Sequence, residues 1–209
     1  MKSRFVAGAT SARKNTDGGR GSMTGLMAYS SISHVGYALI GLAPGTAAGI
    51  RGVLVYMAIY LFMNVGTWTV ILCMRRQGRM LEGISDLSGL SRAQPGLALA
   101  LAIFMFALSG VPPTAGFFGK LYVFLAAIDA NLTGLAVIGV VTSVVSAFYY
   151  LRVVKVMYFD EPVPAFDTPI STELKGVVFV TAVVTLFFFV VPGQIFSAAE
   201  SAAAALFSP

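Results

Sequence analysis

Ser109-Gly-Val-Pro-Pro-Thr-Ala-Gly-Phe-Phe-Gly-Lys-Leu-Tyr-Val-Phe124 sets one lysine inside a long apolar stretch, seven residues after a proline pair. An ammonium group at bilayer depth costs roughly 2.5–3.5 kcal/mol on insertion scales, so chains rarely present one to lipid. Pro112-Pro113 interrupts helix geometry. Non-helical backbone at membrane depth survives only where protein or water covers it. Lys120 therefore predicts a buried, hydrated charge site beside an interrupted helix.

The composition agrees with a bilayer setting. Hydrophobic residues make up 57% of the chain and charged residues 11%, too few for the surface of a soluble domain of 209 residues. Several apolar runs approach or exceed the roughly 20 residues of a spanning helix. The net charge of +5 is no nucleic-acid signal. Basic residues sit at the ends of apolar runs, where membrane topology accounts for them. Cys73 is the single cysteine, which excludes an internal disulfide or a cysteine metal site. His34 is the single histidine and predicts no metal site either. Residues 1–22 carry Lys2, Arg4, Arg13, Lys14 and Arg20 against Asp17, without an apolar core. They read as a basic disordered tail rather than a secretory signal, with a mitochondrial transit peptide as the alternative.

The pattern predicts an all-α integral membrane bundle of about five transmembrane helices. They run from about Leu26 to Ala43, Ile50 to Met74, Pro95 to Ile128, Leu132 to Tyr158 and Leu174 to Val191. Polar connectors at 77–94 and 160–173 separate them, and a bend at Pro192-Gly193 precedes an Ala-rich, weakly amphipathic tail. The third run is too long. Its roughly 34 residues would make a helix of about 50 Å against a hydrocarbon core of about 30 Å. Loop charge favours one discontinuous span, broken at Val111–Pro113, over two spans. With one span, the basic tail, Arg75-Arg76-Arg79 and Arg152/Lys155 all face the cytoplasm. That count puts the N-terminus in the cytoplasm and the C-terminus outside. A broken helix leaves free carbonyls and amides near mid-membrane, as at transporter ion sites.

Three runs carry polar stripes at helical spacing. Ser30, His34 and Tyr37 share one face of the first, and Tyr56, Tyr60 and Asn64 line the second. Thr142, Ser146 and Tyr149 line the fourth. Such stripes glue helices together, but three of them beside a buried lysine predict a shared hydrated path. His34 titrates near neutrality in its unperturbed form and suits proton transfer. Asp129 lies nine residues from Lys120, on the opposite side of a helix, so no acid in the run clamps the lysine in its charged form. The fifth run, with Phe187-Phe188-Phe189, offers only Thr181 and Thr185 as polar groups and reads as lipid-facing support. Asp86 and Arg92 read as contacts to another loop or subunit.

Two stretches carry a family resemblance. They are Leu26-Met-Ala-Tyr-Ser-Ser-Ile-Ser-His-Val-Gly-Tyr37, and Asp86-Leu-Ser-Gly-Leu90 followed by Pro95 and the Ser109–Phe124 run. Over about residues 26–207 the chain resembles the antiporter-like membrane subunits of respiratory complex I, the bacterial subunit N group among them. The resemblance implies a membrane-arm subunit of NADH-quinone oxidoreductase that moves protons, driven by quinone reduction elsewhere, with no redox centre, cofactor or metal of its own. It implies that Lys120 is the exit-side proton carrier and that His34 lies in the central polar axis. Ser30, Tyr37, Tyr60, Asn64 and Ser146 are then expected on the proton path, with Pro112 and Pro113 at the helix break. Expected partners are other membrane-arm subunits, the lipid bilayer and protons, in a bacterial inner membrane or, alternatively, a mitochondrial one.

Family members have two inverted five-helix repeats. Residues 26–209 resemble mostly the second repeat with the C-terminal helices, and residues 1–25 do not match. Where the family has Asn-Ile-Lys-Arg, this chain has Ser22-Met-Thr-Gly25. These departures predict a truncated, split or misassigned reading frame. The competing readings are a subunit of a multi-subunit sodium/proton antiporter and an inactive helical scaffold.

Overall fold

In a computed structural model, which describes residues 21–188 and 193–207, the first helix starts where a hydroxyl can cap it. The basic segment 1–20, the Val191 end of the fifth run and Pro192 of the expected bend lie outside the described residues. Ser22 accepts from the Gly25 amide at 3.2 Å and opens α1, Met23–Leu42. Pro44-Gly45 stops it, and Thr46 accepts from the Gly49 amide at 3.1 Å to open α2, Ala47–Cys73. Such side-chain caps satisfy amides that a helix start leaves free.

The connector after α2 is more structured than its polarity predicts. β1 (Arg75–Arg76) pairs antiparallel with β2 (Arg79–Met80) across a two-residue turn, Gln77-Gly78. Both turn residues have positive φ, the geometry of a tight primed hairpin turn. A 3-10 turn at Ile84–Leu87 and the short α3, Leu90–Ala93, follow.

Helix α4, Pro95–Ser109, starts on a proline, which lacks only an amide the helix would leave free. It ends in a Schellman motif. Gly110 (φ +83°) donates to the Ala107 carbonyl at 3.0 Å, and the Val111 amide reaches back to Phe106 at 3.2 Å. Residues 110–114 carry no helix, and α5 runs Ala115–Asp129. α6 spans Thr133–Phe159, α7 Thr172–Phe187 and α8 Gly193–Phe207.

α2 lies at the centre, packed against α1, α4, α5, α7 and α8. α6 packs on α1, α4 and α5. Between helices in lipid, association depends on close packing rather than on release of water. Gly116 shows how close. A Cβ there would collide with the Ala107 carbonyl oxygen, so α5 rests against the end of α4 through its backbone. Among the described helices, α2 and α6 are long and apolar enough to cross a membrane by length and composition. α6 leaves Val137, Ile138, Val141, Val144, Val145 and Phe148 exposed, a continuous apolar face.

α7 differs in part from its expected role. Its Thr181 and Thr185 are buried against the bundle, while Phe179, Val180 and Phe187 face outward. The tail helix α8 is not left loose. It buries Ala199 and Ala203 and seats Phe196 against Tyr122, with ring centroids 4.7 Å apart.

Candidate functional site

The end of α4 explains where Lys120 goes. A helix C-terminus leaves carbonyls without intrahelical partners and carries partial negative charge. The Schellman bonds occupy Phe106 and Ala107, but not Leu108 and Ser109. Lys120, on the second turn of α5, supplies the missing donors. Its Nζ donates to the Leu108 carbonyl at 3.1 Å and to the Ser109 carbonyl at 3.2 Å. A third bond reaches Ser143 Oγ on α6 at 2.8 Å. The Tyr37 ring of α1 lies 4.8 Å from Nζ, within cation–π range. Lys120 is 4% exposed, and among the described residues no carboxylate pairs with it.

A second cluster sits beside Tyr37. The inward face of α1 repeats Met27, Ser30, His34, Tyr37 and Gly41 at three- and four-residue steps. His34 is flanked by two phenols, Nδ1 to Tyr56 OH at 2.6 Å and Nε2 to Tyr150 OH at 3.2 Å. Tyr150 OH also bonds Ser30 Oγ. The Tyr60 ring stacks on the imidazole at 4.6 Å and its hydroxyl donates to Ser31 Oγ at 3.0 Å. Tyr37 meets His34 edge-on at 5.9 Å and so touches both clusters. Its hydroxyl is buried without a hydrogen-bond partner among the described residues.

Of the sequence-predicted residues, Lys120, His34, Ser30, Tyr37 and Tyr60 come together. Ser146 lies one turn beyond Ser143 on α6 and donates to its carbonyl at 2.7 Å. Asn64 sits one turn past Tyr60, half-buried, and its Oδ1 has no partner among the described residues. Pro112 and Pro113 are exposed in the 110–114 segment.

Three participants were not singled out from sequence: Ser143, Ser31 and Tyr150. The α6 stripe was placed on Thr142, Ser146 and Tyr149, but Thr142 is exposed and bonds its own helix at Ile138 and Gly139. The inward line is Gly139, Ser143, Ser146 and Tyr150, with half-buried Tyr149 beside it, hydrogen-bonded to Ser33, Ser146 and Tyr150. Gly139, where a Cβ would strike Phe124 and Ile40, marks that phase.

The model of the family described as NADH:quinone oxidoreductase/Mrp antiporter, TM, matches residues 18–146. The chain belongs to this family. Among relatives of the NADH:quinone oxidoreductase/Mrp antiporter family, NADH-quinone oxidoreductase subunit N of Rhodospirillum rubrum is 60% identical over 181 residues, covering 87% of this chain and 37% of the relative. Subunit N of Granulibacter bethesdensis is 57% identical over 195 residues, covering 90% of this chain and 40% of the relative. The chain thus spans about two fifths of the length of these bacterial relatives. A chain of respiratory complex I from Thermus thermophilus with bound Aureothin superposes with TM-score 0.73 at 30% identity, covering 86% of this chain and 40% of that one. A chain of the Mrp complex from Dietzia sp. DQ12-45-1b superposes with TM-score 0.79 at 23% identity, covering 91% of this chain and 44% of that one. The Mrp likeness concerns the fold alone. The resemblance carried by the Leu26–Tyr37 and Ser109–Phe124 runs therefore extends to similarity with subunit N over 87–90% of this chain.

Proposed function

We propose that the chain is part of a proton-translocating membrane subunit of NADH-quinone oxidoreductase. In this reading it couples quinone reduction elsewhere in the complex to proton movement and performs no redox chemistry itself. The carrying observation is Lys120, held by two helix-end carbonyls and one hydroxyl at the 110–114 interval. α4 and α5 act as one span, interrupted there, among five spans in all. The N-terminus faces the cytoplasm and the C-terminal end the periplasm of a bacterial inner membrane. The partners are the other membrane-arm subunits.

Lys120 takes and gives up a proton through the interval. Tyr37 stands between Lys120 and His34, and Ser30, Tyr60 and Ser146 order the hydroxyls around them. A like charge arriving nearby would favour release, because it disfavours the protonated amine.

The test is a complex in which residues 26–207 replace the matching part of a resident subunit N, with Lys120 intact or changed to Met or Ala. Proton uptake into inverted vesicles should fall severalfold in both variants, with the complex still assembled on a native gel. Undiminished proton uptake in Lys120→Met would sink the proposal.

A further inference from the structure

We infer that the furrow between α4 and α7 is a binding site for an anionic phospholipid, with an acyl chain lying in the furrow and the phosphate at Lys175. The furrow has a volume of about 820 Å³, within the range of small-molecule sites. α4 lines it with Leu97, Ala100 and Ile103, and α7 with Val178, Ala182 and Leu186. Its floor is formed where the residues are small. Ala100 and Ala182 are buried, while Leu99, Phe179 and Val183 stand exposed along the rim.

Length decides what fits. From Lys175 to Leu186 α7 rises about 16 Å, against about 15 Å for half of a hydrocarbon core. The furrow is therefore one leaflet deep. A partner helix that crosses the bilayer needs a track about twice as long, whereas an acyl chain ends near mid-membrane.

Charge decides which lipid. Gln94, Thr168 and Lys175 line the end of the furrow where α4 and α7 both begin. Basic pockets between helices at a membrane surface receive anionic headgroups. Lys175 is exposed and has no ion pair among the described residues. The acids close to it in sequence are engaged elsewhere. Glu173 lines a separate groove with Gly176, Val177 and Val180. The Asp167 carboxylate accepts from the Gln77 and Gly78 amides. Arg92, exposed two residues before Gln94, adds positive charge.

Gln94 narrows the choice of headgroup. Its Nε2 donates to the Phe166 carbonyl at 3.2 Å, and its Oε1 is buried without a partner among the described residues. That oxygen can only accept. A glycerol headgroup brings hydroxyls to it while the phosphate meets Lys175. Phosphatidylglycerol thus suits this end, and phosphatidylcholine, net neutral and without a donor, does not. The inference requires a bilayer around the chain but not the proton-carrying reading of Lys120.

The test uses the full chain in bilayers, with Trp68, the only tryptophan, changed to Phe. Phe179→Trp puts a reporter on the rim of the furrow, and Val145→Trp puts one on the exposed face of α6. Lipids with brominated chains quench an indole that they touch, so titrations with brominated phosphatidylglycerol and brominated phosphatidylcholine compare the two at each position. One lysine at a membrane surface favours anionic lipid about fivefold. Phe179→Trp should therefore select phosphatidylglycerol by about threefold or more, and Val145→Trp should select neither lipid. Lys175→Gln, at an exposed site, should abolish the selection. Ala182→Leu, which fills the furrow and keeps the lysine, should abolish it too. Equal quenching by the two lipids at Phe179→Trp, or equal selection at both reporter positions, overturns the inference. Selection that survives Lys175→Gln also overturns it. Selection that survives Ala182→Leu does the same, because lipid would then be drawn to the charged surface and not held in the furrow.

Discussion

At Lys120 and Gly110, one residue makes room for the other. Gly110 sits at φ +83°, and a Cβ there would lie 3.1 Å from Lys120 Cδ and 3.3 Å from Nζ. Gly110→Ala therefore combines a left-handed backbone, about 1–2 kcal/mol for a residue with a Cβ, with pressure on the lysine. Denaturation in detergent should show a loss of at least about 1 kcal/mol, and an unchanged midpoint would contradict the account. Lys120 and His34 were legible because their types are rare and costly in an apolar run. Tyr150 was not. Tyr149 and Tyr150 are adjacent in sequence, and how deeply each turns inward depends on the helix phase set at Gly139. That phase needs the partners Phe124 and Ile40, which lie on other helices.

At the level of elements, the helices are readable within a few residues because caps and breakers punctuate them. A helix end before Pro112-Pro113 follows from sequence, and α4 ends at Ser109. The hairpin at Arg75–Met80 was not readable, because its arginines look like ordinary topological anchors. Its turn is fixed from a distant connector. The Asp167 carboxylate accepts from the Gln77 and Gly78 amides, both at 2.8 Å, and the Asp167 amide donates to the Arg75 carbonyl at 2.7 Å. Asp86, expected to meet another loop or subunit, pairs with Arg76 at 3.7 Å and so binds within this same layer.

The Gly78 and Gln77 amides, with smaller help from Arg76 and Arg75, hold the Asp167 carboxyl below its ordinary value of 3.8. A depressed carboxylate contributes stability that is present above its unfolded pKa and lost as pH falls through the folded one. The Gln77 and Gly78 amides should therefore exchange hydrogen faster in Asp167→Asn than in wild type near neutrality. The two proteins should converge below the folded pKa of Asp167. Equal exchange near neutrality would rule out the clasp.

On the scale of the molecule, the apolar faces of α1 and α6 define what surrounds the bundle. Exposed apolar patches this extensive mark lipid or partner surfaces. Val145 is 65% exposed on α6. A lysine there faces the insertion cost of roughly 2.5–3.5 kcal/mol without the carbonyls that receive Lys120. Val145→Lys should lower the fraction of chain that resists alkaline extraction from membranes, and full retention would argue against an apolar environment at that face. The Arg51–Glu200 pair at 3.3 Å ties α8 to α2, but both partners are partly exposed, so it contributes little.

The shell around the lysine nitrogen has a final implication. An ammonium brings three hydrogens to three oxygens, and a free amine brings two and an electron pair. The Leu108 and Ser109 carbonyls can only receive, so neither can answer that pair. Ser143 can: its hydroxyl swivels from receiving to giving, and the valences balance in both states. A serine on a neighbouring helix thereby lets one nest fit two occupants, and an alanine at 143 would fit neither fully.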